Sequence, residues 1–134
     1  MSAGMVFRNY YKTMIWIAAM FYMLFTPGNL VPKNGIFEIP HFDKLVHFGM
    51  FALLIFLFRI DSEKQVQNRH SLLIKFTISA VLFAGLSEVI QYNFIEGRAG
   101  SIYDFFADMC GFTIGSLFYL WPWGRISSKT KAMH

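Results

Sequence analysis

The sequence has few charged residues and a single cysteine, and these scarcities exclude several classes of protein. Charged residues make up 15% of the 134 residues and hydrophobic residues 55%, a composition too apolar for an ordinary soluble domain. Cys110 has no partner for an internal disulfide, so it is expected to serve as a small buried apolar side chain. The length allows one domain, covering residues 1–134.

The apolar residues fall into four segments, for which we predict helices at about 10–26, 43–59, 72–92 and 102–121. None of the last three is free of ionisable residues over the about 20 positions that cross a bilayer. Each therefore spans a membrane only if ionisable side chains near its end are submerged. The predicted fold class is all-α, an integral membrane four-helix bundle. We expect the first helix to be retained, because no small-x-small cleavage site follows it.

The positions of the basic residues predict how the chain is oriented. Nine of the twelve Lys and Arg residues precede the first helix, flank the second loop or follow the fourth helix, and such residues stay on the cytoplasmic side during insertion. Both termini are thus predicted to be cytoplasmic, and the second loop, 60–71, to be a short solvated turn. Since these residues lie at segment ends rather than along one face, the net charge of +4 favours membrane lipids over nucleic acid as partners.

Polar residues of three helices gather near the outer membrane face in this topology. In each of these helices two polar residues lie three or four positions apart and share one face: Asp43 with His47, Glu88 with Gln91, and Asp104 with Asp108. Ionised groups facing lipid cost at least a few kcal/mol, so these faces are expected to point inward and to pair. We name His47 and Glu88 as candidates for acid–base catalysis, and as candidates for ligand binding Asp43, Lys44, Gln91, Arg98, Ser101, Asp104 and Asp108.

The outer loop and the fourth helix supply further candidates. Arg98 lies between glycines in the loop 96–101 and is the obvious cation for the carboxylates or for an anionic ligand. Gly111 and Gly115 continue the Asp108 face at four-residue spacing, a pattern that allows helices to pack closely. Metal binding by His41, Asp43, His47 and the carboxylates is an open alternative, but one or two imidazoles without a tight ligand motif are weak evidence for it. No metal and no cofactor is therefore predicted.

These residues together resemble the VanZ-like family of bacterial membrane proteins. The family's motifs appear in order: Asp43-Lys44-Leu45-Val46-His47, Glu88-Val89-Ile90-Gln91, Gly97-Arg98, then Ser101, Asp104 and Asp108, then Gly111 and Gly115. The family more often has asparagine at the position of Asp108. Because the family takes its name from a protein of glycopeptide resistance clusters associated with teicoplanin tolerance, the resemblance implies a place in the bacterial plasma membrane and a role near the cell envelope. It names no reaction.

Three functions are weighed from these features. In the first, the polar residues recognise or modify an envelope molecule at the outer leaflet, such as a lipid-linked glycan, a peptidoglycan precursor or a lipid headgroup; whether the chain is an enzyme stays open. In the second, the chain is a non-catalytic membrane partner whose polar cluster is only structural. It binds a drug or another protein through aromatic residues of the first helix: Trp16, Phe21, Tyr22 and Phe25. The third, ion movement, is disfavoured because residues 48–58 and 109–120 contain no Asp, Glu, His, Lys or Arg.

Overall fold

The computed structural model describes residues 3–31, 35, 39–63, 69–98 and 100–120, which form four α-helices and no strand. The helices are α1 (Ala3–Phe25), α2 (Phe42–Ser62), α3 (Arg69–Phe94) and α4 (Ile102–Leu120), and a short 3₁₀ helix, Gly28–Leu30, follows α1. The predicted all-helical class and helix number are confirmed, although α2 and α3 extend into the predicted second loop. Several of the basic residues that predict the orientation lie outside the described residues: Lys33, Lys64, Arg125, Lys129 and Lys131.

Local sequence signals set the ends of these helices. The first helix stops before Pro27, whose ring cannot continue a helix. The second helix begins after His41, which adopts a left-handed conformation (φ 63°), and it carries Asp43 in its first turn, where a negative charge complements the helix dipole. At the start of α4, the Ser101 hydroxyl accepts a hydrogen bond from the Tyr103 N–H (3.2 Å), so Ser101 acts as an N-cap.

The most extensive helix contact joins α2 and α4, and two glycines allow their backbones to approach. A Cβ atom on Gly111 would overlap with the backbone carbonyl of Phe48. A Cβ atom on Gly115 would overlap with the Ile55 side chain and would lie 3.0 Å from the Ala52 carbonyl oxygen. Because neither position has room for a side chain, the middle parts of the two helices lie directly against each other.

The exposed surface of the helices is apolar, as their buried core is. Among the described residues, two helices are long and apolar enough to cross a membrane, Phe42–Ser62 and His70–Phe94. Large apolar side chains also stay exposed at three- and four-residue spacing along one face of α3: Ile74, Ile78, Leu82, Leu86 and Val89. A continuous apolar face of this length is typical of a surface that contacts lipid or another protein. Both features indicate membrane association.

The sulfhydryl of Cys110 is exposed on α4, so the prediction that it is buried was wrong. Residues two apart in a helix differ by about 200° in direction. Because Asp108 takes the buried side of α4, with 0% of its surface exposed, Cys110 must face outward.

A buried carboxylate ties α1 to α2 at the end of α2 remote from His47. Asp61 is 7% exposed, and its Oδ2 accepts hydrogen bonds from both the backbone N–H and the hydroxyl of Thr13, each at 2.8 Å. Tyr10 departs from helical geometry (φ −117°, ψ 23°), so Asp61 bonds the turn that follows this kink, as a capping side chain would. The prediction that residues 60–62 belong to a solvated turn was therefore wrong.

We expect Asp61→Ala to lower the free energy of unfolding by about 2 kcal/mol, because it leaves two buried donors of Thr13 without their charged acceptor. The measurement is unfolding in detergent micelles, followed by circular dichroism. Glu63→Ala removes an exposed carboxylate two residues further along and is expected to change the stability by no more than about 0.5 kcal/mol. Equal effects of the two substitutions would refute the capping role of Asp61.

Candidate functional site

Three helices bring three of the predicted ionisable residues to one buried point. His47 comes from the second turn of α2, Glu88 from the C-terminal part of α3 and Asp108 from the second turn of α4. They are 3%, 9% and 0% exposed. We call these three residues the buried triad. Burying polar or charged side chains costs free energy unless they pair with each other or bind a ligand or an ion.

One ring nitrogen of His47 faces both carboxylates of the buried triad. Its Nδ1 lies 2.9 Å from Asp108 Oδ1 and 3.7 Å from Glu88 Oε1. The shorter distance is that of a hydrogen bond, which a proton on Nδ1 would donate to Asp108. In the neutral imidazole this leaves Nε2 as a proton acceptor, so the pair has the chemistry of a general base held by a carboxylate.

The loop before α4 holds Glu88 in place. Glu88 Oε2 accepts a hydrogen bond from the Ser101 N–H at 2.8 Å, so the predicted ligand-binding residue Ser101 contacts Glu88 through its backbone. The preceding residue, Gly100, lies so close to α3 that a Cβ atom would overlap with the Glu88 carbonyl and lie 2.9 Å from the Tyr92 Cβ. The glycine therefore lets the loop close over the end of α3.

Two carboxylate oxygens of the triad have no hydrogen-bond partner among the described residues. They are Glu88 Oε1 and Asp108 Oδ2, and both are buried. Unsatisfied acceptors of this kind are rare in native proteins and call for a ligand, a proton or an ion. One donor atom from each triad residue lies within 4.8 Å of the others, so these side chains have a spacing at which a metal ion can be held.

An ion pair borders the triad. The Lys44 ammonium lies 3.1 Å from Asp43 Oδ2 and 3.2 Å from Asp104 Oδ1. Asp104 is 5% exposed, whereas the Asp43 side chain is 56% exposed. Asp43 thus shares a helix face with His47 in sequence but pairs with its neighbour Lys44 at the surface. With two acids beside it, Lys44 has little remaining charge to offer an anion.

Arg98 does not pair with the carboxylates. Its Nη2 donates a hydrogen bond to the carbonyl of Met23 at 2.9 Å, and it forms no ion pair with a carboxylate of the described chain. Burial lowers the pKa of the guanidinium, while the negative charges of Asp104 and Glu88 oppose that shift. Of the two partners that the sequence suggests for Arg98, the carboxylates are not contacted, and an anionic ligand stays a prediction.

The end of α1 is part of this region, which the sequence analysis missed. Gln91 is 2% exposed, and its side-chain amide donates to the Leu24 carbonyl at 2.9 Å, one residue after the carbonyl that Arg98 contacts. Both are carbonyls from the last turn of a helix, which lack partners within the helix. The break at Pro27 was the available signal, since it predicts free carbonyls four or fewer residues earlier.

The aromatic face of α1 is less available than predicted. Trp16 is only partly exposed, and its indole N–H donates to the Met50 carbonyl at 3.0 Å. Phe25 is also partly buried. Phe21 and Tyr22 stay 46% and 76% exposed, so the candidate docking surface on this helix is reduced to these two residues.

Comparison with known proteins gives the chain its family. No curated protein sequence matches it, and no solved structure does. A family model described as VanZ/LLP1 matches residues 6–123, a range that contains all four helices of the candidate site except the N-terminal end of α1. The chain therefore belongs to the VanZ/LLP1 family.

Proposed function

We propose that this chain is a multi-pass protein of the bacterial plasma membrane whose buried triad recognises or modifies a cell-envelope molecule at the outer leaflet. Family membership and the two apolar helices support membrane association. The basic residues support a topology with four spans and cytoplasmic termini. In that topology the triad lies near the outer face, where lipid-linked glycans, peptidoglycan precursors and lipid headgroups are presented. A link to teicoplanin tolerance belongs to the same proposal.

The observation that carries the proposal is the incomplete pairing of the triad. A network that served only to fix helix packing would satisfy its buried acceptors. Here Glu88 Oε1 and Asp108 Oδ2 are buried without hydrogen-bond partners among the described residues, next to an imidazole. These two oxygens are therefore available to bind a ligand.

Arg98 suits an anionic ligand. A guanidinium has five N–H groups, and Arg98 shows one hydrogen bond, to Met23. The remaining donors match a phosphate or carboxylate, which guanidinium binds in a bidentate manner. His47 and Glu88 would then act as acid and base, while Asp108 orients the imidazole.

The test compares protection from teicoplanin with protein abundance in cells that depend on this chain. We expect His47→Gln and Glu88→Gln to lose protection at least about tenfold at unchanged abundance, as when one general acid or base is removed. Glu96→Gln makes the same chemical change at an exposed site in the adjoining loop. This variant should keep both the protection and the abundance of the parent. If the triad variants protect as well as the parent, the catalytic form of the proposal is rejected.

The alternative, a non-catalytic membrane partner, is favoured by the exposure of Phe21 and Tyr22 on α1. An aromatic pair on a helix surface is a suitable anchor for a neighbouring helix or an apolar drug. In this case the triad variants would lose protection only in proportion to abundance. Phe21→Ala with Tyr22→Ala would lose protection with the protein still present.

A further inference from the structure

The geometry points to a site for a divalent transition-metal ion formed by His47, Glu88 and Asp108. The inference deepens the proposed function and rests on it, since the metal would lie in the same buried triad and face the same ligand. The sequence analysis predicted no metal, because the three residues lie on three different helices and form no local motif. Helical spacing predicted that they gather near one membrane face, and the fold adds the distances between their donor atoms.

The spacing of the donor atoms suits such an ion. All three residues offer an atom within 4.8 Å of the others, and His47 Nδ1 is 2.9 Å from Asp108 Oδ1 and 3.7 Å from Glu88 Oε1. Nitrogen and oxygen ligands about 2.1 Å from a tetrahedral metal lie about 3.4 Å apart. The two observed distances bracket this value, so small rotations of the side chains would complete the coordination.

A second, independent observation is the pair of unpartnered oxygens. Asp108 is wholly buried and the Glu88 side chain is 10% exposed, yet Asp108 Oδ2 and Glu88 Oε1 have no hydrogen-bond partner in the described chain. Glu88 Oε2, by contrast, is held by the Ser101 N–H. That contact fixes the carboxylate with its other oxygen free, which is how outer-shell hydrogen bonds orient metal ligands.

The charge of the triad also favours a cation. With the imidazole neutral and both carboxylates ionised, the triad would carry two negative charges in a buried place. Neither nearby cation pairs with them in the described chain: Lys44 lies between Asp43 and Asp104, and Arg98 forms no ion pair with a carboxylate. A divalent ion would neutralise the pair of acids. Alternatively, protons alone could neutralise the two carboxylates. The experiment below distinguishes this outcome from metal binding.

The ligand set indicates which ions fit. Imidazole nitrogen suits Zn²⁺ or Fe²⁺ and carboxylate oxygen suits Mn²⁺, whereas Mg²⁺ and Ca²⁺ prefer sites made of oxygen alone. Three protein ligands leave at least one coordination position open, as in catalytic rather than structural metal sites. A phosphate oxygen of an anionic envelope molecule is a suitable occupant of that position.

The experiment measures thermal unfolding of the full chain in detergent after treatment with a chelator, with Zn²⁺, Mn²⁺ or Mg²⁺ added alone. We expect Zn²⁺ or Mn²⁺ to raise the Tm by on the order of 5 °C at concentrations well above Kd, and Mg²⁺ to leave it unchanged. Asp108→Asn and Glu88→Gln should abolish the shift. Glu96→Gln and Cys110→Ser, which alter exposed residues, should retain it.

A second measurement keeps the inference testable if the triad variants do not fold. X-ray absorption of the metal-loaded parent chain should show imidazole nitrogen and oxygen at about 2.0–2.2 Å and no sulfur. Absence of a Tm shift in the parent, a shift that persists in Asp108→Asn, or sulfur scattering would each overturn the metal site. The proposed function fails separately, because protection in cells can depend on His47 whether or not the purified chain binds metal.

Discussion

Replacing Gly111 with alanine is expected to destabilise the protein by about 3 kcal/mol and to abolish its function. The added Cβ would overlap with the Phe48 carbonyl oxygen and lie 2.9 Å and 3.0 Å from the Phe48 C and Cα atoms. These are backbone atoms, which cannot turn aside as a flexible side chain can, so α2 must move away from α4. Overpacking of this kind costs roughly 1–3 kcal/mol, occasionally more. Because Phe48 follows His47, the same movement would pull His47 away from Asp108.

Gly49→Ala is the matched control for this prediction. A Cβ atom at Gly49 would meet nothing within 4 Å, and alanine is favoured over glycine in helices by up to about 1 kcal/mol. The control should therefore be as stable as the parent or slightly more stable. Unfolding in a series of denaturing detergent mixtures gives both values. A Gly111→Ala protein of parental stability would mean that the α2–α4 contact is looser than described.

Replacing Asp108 with alanine is expected to cost about 3 kcal/mol in the chelator-treated protein. His47 is 3% exposed and has its 2.9 Å hydrogen bond to Asp108. Removing one partner of a buried pair leaves the other desolvated and unpaired, which costs roughly 1–3 kcal/mol for neutral groups and 3–5 kcal/mol for ion pairs. Asp108→Asn keeps an acceptor at Oδ1 and should cost much less.

A double-mutant cycle tests whether the effect passes through His47. We expect His47→Ala and Asp108→Ala to be less harmful together than the sum of their separate effects, with a coupling energy of about 1–3 kcal/mol. Each variant is measured by the same unfolding assay in the absence of metal. Additive effects would show that the two side chains do not interact, and the buried triad would lose its basis.

Helical spacing was sufficient to predict much of the candidate site. The predicted topology placed His47, Glu88 and Asp108 near the same membrane face, and the cost of exposing charge to lipid required them to face inward. The structure brings these three side chains together. Gly111 was identified for the same reason, since a small residue on a polar, inward face marks where another helix approaches.

Contacts of long side chains between helices were not predictable in this way. Periodicity gives the face on which Arg98 or Gln91 lies, but not which carbonyl at the end of α1 each one reaches. Asp61 was assigned to a solvated turn because it stands among charged residues. Its partner Thr13 lies 48 positions earlier, and only the packing of α1 on α2 reveals that the carboxylate is buried.

The proposed topology places the buried triad near the outer face of the membrane. Two matched variants on a Cys110→Ser background test it: Glu96→Cys, in the loop after α3, and Glu63→Cys, at the opposite end of α2, both at exposed positions. With a membrane-impermeant maleimide on intact cells, Glu96→Cys should be labelled, and Glu63→Cys only after permeabilisation. Labelling of Glu63→Cys from outside, with Glu96→Cys protected, would contradict the account.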